Sequence, residues 1–197
     1  MSEQILKNYL AETLETFRSY KKLAERAFEQ ISDDEFFVLL DAGSNSLAMI
    51  AKHIGGNLRS RFSDFLTSDG EKNDRDRDSE FVAENDTRAS IMQVWETGWQ
   101  TLFETLESLT VEDLSKTVKI RTEDFTVTKA FTRSLSHISS HVGQITFLAK
   151  HLRSTEWKTL SVPRGKTNEF NAYLAENKDK THYLDATQEF AKSITEK

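Results

Sequence analysis

The sequence predicts an all-α fold, a four-helix bundle, and three observations lead there. Four separate stretches carry apolar residues at helical spacing. One proline and seven glycines in 197 residues leave little of the punctuation that many short strands need. A hydrophobic content of 37% against 29% charged suits one core beneath a polar surface. We expect a single domain over residues 1–197, with a core bundle at about 3–153 and a C-terminal extension at about 154–197.

Residues 3–30 open the bundle, with Leu6, Leu10, Leu14, Phe17, Leu23, Ala27 and Phe28 at helical spacing. In "ISDDEFFVLL", Ser32 or Asp33 is placed to cap a short helical turn. The second helix is expected from about Ser44 to Thr67, on the stripe Leu47, Ile50, Ile54, Leu58 and Phe65. Residues 68–86, "SDGEKNDRDRDSEFVAEND", are dense in charge and almost empty of aliphatics, which reads as a solvated connection. The third helix starts at an Asp86 or Thr87 cap and turns Ile91, Val94, Trp95, Leu102 and Leu106 inward. Val118, Ile120, Phe125 and Val127 alternate with polar residues around "RTED", the pattern of a short β-hairpin. The fourth helix follows, from about Thr128 to Arg153, and two short helical patterns near 167–177 and 183–195 finish the chain.

Composition also excludes functions. The chain has no cysteine, so disulfides, thiolate metal ligands and a cysteine nucleophile are ruled out together. A net charge of −6 without a basic stripe argues against nucleic acid as a partner. No apolar run approaches the roughly 18 residues that cross a bilayer. The N-terminal "MSEQILKNYLAETLETF" lacks the basic-then-apolar layout of a signal peptide, so the expected compartment is the cytoplasm, with no membrane partner.

Two of the five histidines, His137 and His141, stand four apart on the apolar arc of the fourth helix, where Leu and Ile belong. In projection they lie about 40° apart, among Ile138, Ile145, Leu148 and Leu152, with Gln144 at the edge of the arc. Imidazoles in a core must find partners, since an unpaired buried polar group costs about 1–3 kcal/mol. Either they hydrogen-bond within the bundle or they chelate a divalent cation. His53, on the second helix, begins a polar stripe continued by Asn57, Arg61 and Asp64 at the border of the apolar face. His53, His137 and His141 together give three nitrogen ligands with coordination positions left open, the ligand count of a catalytic site. Asn57 and Gln144 are the nearest polar groups for orienting a ligand or water, and Arg61 is placed to neutralise an anionic substrate group. Each of these is equally placed for an ordinary bundle hydrogen bond or salt bridge. Asp64 is three turns from His53, too far for a general base, and His151 and His182 read as surface residues.

One histidine on the second helix followed by "HxxxHxGQ" on the fourth resembles the DinB/YfiT-like superfamily of metal-dependent proteins. The closest likeness is to a branch of unknown function. The segments "GGNLRSRFSDFLTSDGEKNDRDRDSEF", "SHISSHVGQITFLAKHL" and "LSVPRGKTNEFN" resemble those of that branch in order and spacing. The resemblance implies a four-helix bundle, often a homodimer, whose histidine triad matches His53, His137 and His141 and binds a divalent metal, Zn or Ni foremost. It implies action on a small molecule by thiol (S-) transfer or hydrolysis, with a low-molecular-weight thiol as partner. The competing expectation is a non-catalytic metal-binding or stress-related interaction protein. It also implies that the Arg and Asp residues of 68–86 pack at the bundle end or between subunits. For the dimer, Trp95 and Trp99 offer a shared aromatic face, unless that face is the bundle's own core.

Overall fold

The computed structural model describes residues 3–177 and 183–195. Four long helices form the frame: α1 (Glu3–Phe28), α3 (Leu47–Phe62), α4 (Arg88–Ser108) and α5 (Val127–Arg153). A one-turn helix α2 (Asp33–Phe36) follows α1, and β1 (Thr117–Ile120) and β2 (Glu123–Thr126) form a hairpin before α5. The expected all-α class with one small hairpin is what the chain adopts. Helices α6 (Thr167–Asn177) and α7 (Tyr183–Thr195) close the described chain, and His182 lies outside the described residues.

Each long helix packs on two others: α1 on α5 and α4, α3 on α4 and α5. The core between them is aromatic. Phe17 meets Phe62 and Trp99 edge-on, each at 6.4 Å, and Trp95 meets both Phe28 and Trp99 at 5.4 Å. Trp95 and Trp99 are therefore fully buried within one chain and offer no face to a second copy. Their helical spacing alone did not distinguish the two locations, because an inward stripe and an outward one have the same period.

The tightest contact joins α3 to α4. A Cβ placed on Gly55 would stand 2.5 Å from the Val94 carbonyl oxygen, and one on Gly98 would stand 2.3 Å from that of Gly55. The two backbones touch, so neither position tolerates a side chain. Val94 is accordingly only half-buried, since its main chain rather than its side chain meets α3.

Three boundaries differ from expectation. Helix α3 starts at Leu47 because the Ser46 side chain accepts a hydrogen bond from the Met49 N–H at 3.2 Å. It ends at Phe62 because Ser63 is extended and Asp64 takes φ 48°, so Asp64 is an exposed residue outside the helix. Val127, expected in a strand, is the first residue of α5, which Thr126 caps through the Lys129 N–H at 3.2 Å.

The larger correction concerns residues 68–86: most of 73–79 is exposed, as in a solvated connection, but the segment is anchored to the hairpin and to α3 and buries Glu80. Asp69 accepts from the backbone N–H groups of Arg121 (2.8 Å), Thr122 (2.7 Å) and Glu71 (2.8 Å). Arg121 and Thr122 hold φ 53° and 67°, so Asp69 supports a hairpin turn made without glycine. Gly70 N–H donates to the Lys119 carbonyl at 2.8 Å, and Ser60 Oγ donates to the Gly70 carbonyl at 2.8 Å. The segment thus straps the hairpin to α3. It then runs to a 3-10 turn, Asp78–Phe81, that packs on α3 beside His53.

Candidate metal centre

Helix α3 supplies His53, two residues before Gly55, where its backbone touches α4, and α5 supplies His137 and His141 one turn apart. Where α3 and α5 face each other, the imidazoles converge. The Nε2 atoms of His53 and His137 are 3.2 Å apart and those of His137 and His141 3.1 Å apart. One ring nitrogen from each of the three lies within 4.8 Å of both others. His53 is 4% exposed, whereas His137 and His141 are half-buried.

The outer nitrogens determine what the inner ones offer. His53 Nδ1–H donates to Glu80 Oε2 at 2.8 Å, and His141 Nδ1–H donates to Gln144 Oε1 at 2.8 Å. A neutral imidazole carries one proton, so both rings present an Nε2 lone pair to the centre. Two lone pairs facing a third nitrogen at 3.1–3.2 Å leave at most one N–H to share between them. A divalent cation resolves that arrangement. Tetrahedral coordination at 2.0–2.1 Å sets nitrogens roughly 3.4 Å apart, close to the separations found. The three residues could therefore hold a metal ion.

Burial disfavours charge on the two α5 rings. Burial first, then repulsion from His141, His53, Arg133 and Arg61, lowers the His137 pKa to about 3. Burial likewise lowers that of His141, against a smaller opposing effect of the Gln144 hydrogen bond. Glu80 is only 5% exposed, and burial alone would raise its pKa, but hydrogen bonds from His53 and Arg75 and the Arg75 charge hold it below the usual range. Arg75 grips it with Nε on Oε1 and Nη2 on Oε2, both at 2.8 Å. On the other side of His53, Phe81 lies against the ring at 4.9 Å between centroids, and the Arg77 guanidinium covers Phe81 at 5.0 Å.

Glu80, Arg75 and Phe81 are parts of this centre that sequence reasoning did not single out. Their signal was present in "HIGGN". Two glycines inside a helix cost about 1 kcal/mol each and call for a packing reason. Gly55 admits α4; a Cβ on Gly56 would stand 2.3 Å from Glu80 Oε1, so Gly56 makes room for the carboxylate.

Gln144 is at the centre, bound to His141. Asn57 is 7% exposed on α3, one turn after His53, and makes no side-chain hydrogen bond among the described residues. Arg61 is 4% exposed; its Nη1 donates to the Gly70 carbonyl and lies 2.7 Å from Glu71 Oε2, while its Nε is buried without a partner among the described residues. His151 is exposed on α5, away from the cluster. A cavity of about 380 Å³ opens between α3, α4 and the 72–80 stretch. Its walls include Glu80 and Arg75 but none of the three imidazoles.

Fold and site together define a helical-bundle protein with a three-histidine group able to hold a metal ion. More particularly, the chain belongs to the family described as protein of unknown function DUF1572, whose model matches residues 4–166. No curated protein and no solved structure shows a significant match to the chain. Among the described residues no helix is long and apolar enough to cross a membrane.

Proposed function

We propose that the protein is a metal-dependent enzyme of the DinB/YfiT-like type, with His53, His137 and His141 as ligands of one divalent ion, Zn or Ni foremost. One observation carries the reading: two Nε2 lone pairs, fixed from behind by Glu80 and Gln144, point at the third imidazole at 3.1–3.2 Å. A purely structural histidine cluster has at most one N–H from His137 to satisfy two facing lone pairs, whereas one divalent ion satisfies all three rings. A bound divalent ion supplies Lewis-acid chemistry, lowering the pKa of a bound water or stabilising a thiolate. The chain's own residues set the terms. Imidazole is a neutral ligand, so three of them leave the ion its full charge. Glu80 and Gln144 orient the rings. The half-burial of His137 and His141 leaves the centre open to a small molecule on the α5 side.

The reaction classes that suit such a centre are thiol (S-) transfer, with a low-molecular-weight thiol as partner, and hydrolysis. One observation favours the competing reading of a non-catalytic metal-binding protein: the 380 Å³ cavity lies behind Glu80 rather than over the imidazoles. A homodimer in the cytoplasm completes the proposal.

The deciding experiment is elemental analysis of protein purified without an affinity tag, beside His53→Ala and His137→Ala. We expect about one equivalent of metal in the parent and none in either folded variant. No metal in the parent, and no uptake of added Zn²⁺ or Ni²⁺, overturns the reading.

A further inference from the structure

On the α3 side of the imidazole cluster, arginines outnumber the carboxylates they pair with. Arg61, Arg75 and Arg121 all converge on the carboxylate of Glu71, at 2.7, 3.5 and 3.2 Å. Glu80 is already held by both Arg75 and His53. Among the described residues, Glu80 is the one carboxylate that pairs with an imidazole of the centre.

Arg133 adds a further positive charge. It lies one turn before His137 on α5, is exposed, and has no ion pair or hydrogen bond among the described residues. Helical side chains lean toward the N-terminus, so the His137 ring lies over the turn that carries Arg133. The two residues are i and i+4 on one helix, neighbours about 5–6 Å apart at Cβ, which puts the guanidinium within reach of that ring. With a divalent ion on three neutral imidazoles, the open side of the centre combines the ion's double charge with an unpaired guanidinium. A planar fork of N–H donors beside a Lewis acid matches a group with two or more anionic oxygens.

We infer that Arg133 is the anion-recognition residue of this centre, and that its ligand is a small molecule bearing a carboxylate or phosphate group seated between Arg133 and the metal. Arg61, the earlier candidate for this role, is committed to Gly70 and Glu71 and contributes field rather than contact. The inference rests on the metal reading above and adds the substrate's charge to it.

The test uses metal-depleted full-length protein loaded with Co²⁺, whose visible absorption reports its ligand field. Acetate, malonate and inorganic phosphate are titrated in a non-coordinating buffer, with parent, Arg133→Gln and Lys150→Gln, the last an exposed cation farther along α5. The parent is expected to give a saturable spectral shift. Arg133→Gln should retain Co²⁺ but bind the anion roughly tenfold more weakly, and Lys150→Gln should match the parent. Preference for malonate and acetate assigns the group as carboxylate, and preference for phosphate assigns it as phosphate. No saturable shift in the parent, equal affinity in Arg133→Gln, or equal weakening in both variants overturns the inference while leaving the metal reading intact. Failure of the parent to take up Co²⁺ overturns the metal reading and this inference with it.

Discussion

The two flanks of the histidine cluster are built in opposite ways. On the α3 flank a single imidazole is enclosed: Phe81 covers its face, a buried carboxylate holds its Nδ1, and a buried guanidinium grips that carboxylate. On the α5 flank two imidazoles are half-exposed, and only a neutral amide from the same helix, Gln144, holds one of them. Charge-assisted bonds in a low dielectric orient a ring more firmly than an exposed amide can. The contrast suggests a division of labour, in which the α3 flank fixes where a metal sits and the α5 flank faces what arrives.

Breaking the α3 flank at its root has the largest expected effect. Gly55→Ala drives a methyl into the Val94 backbone, which cannot move as a side chain can, and should cost about 3 kcal/mol or more in chemical denaturation. Gly56→Ala is sharper, because its methyl meets Glu80 rather than α4. It should leave the bundle folded by circular dichroism while lowering metal affinity. Glu80→Gln should weaken metal binding by roughly 10- to 100-fold in competitive chelator titration, through loss of the charge that orients His53. Gln144→Ala should cost less than about tenfold in the same assay, because water can replace an exposed amide. Equal losses for Glu80→Gln and Gln144→Ala would erase the proposed asymmetry.

Acid tests the α5 flank by its protons. The folded pKa of His137, about 3, lies below its unfolded value near 6.5, so below that value the unfolded chain binds more protons than the native one. This contribution to stability is complete above about pH 6.5 and is lost as pH falls toward 3. Chelator-treated protein should therefore unfold at lower urea near pH 5 than near pH 7. His137→Leu should flatten that dependence.

The frame was legible in the sequence because its signals are periodic. The stripe Leu47, Ile50, Ile54 and Leu58 has four members at helical spacing, and histidines in or beside such a stripe stand out, as His137 and His141 do on α5 and His53 on α3. Glu80 belongs to no stripe. It sits in a segment whose composition matches a solvated linker, and its burial depends on Arg75 five residues earlier and Gly56 on another element. Neither relation has a period. The doubled glycine was the local clue, and its meaning needed to be read with the acidic segment that follows rather than within its own helix. The end of α3 escaped for a related reason: Phe65 continues the apolar stripe and is buried, yet it lies beyond the helix, where the chain has already turned at Asp64.

The strap that delivers Glu80 has a consequence for the order in which the molecule is completed. Between Asp69 and Asp86 its apolar side chains are few, and its anchors are mostly polar: Asp69 on the hairpin turn, Glu80 on His53, and Lys52 on the Val82 carbonyl and Asp86. A stretch with so little apolar surface to bury does not collapse by itself; it docks once α3 and the hairpin exist to receive it. Amides of residues 72–82 should then exchange with solvent faster than those of α3 and α4 beneath them. Added metal should slow that exchange, making the strap the place where the filling of the centre is read out as rigidity.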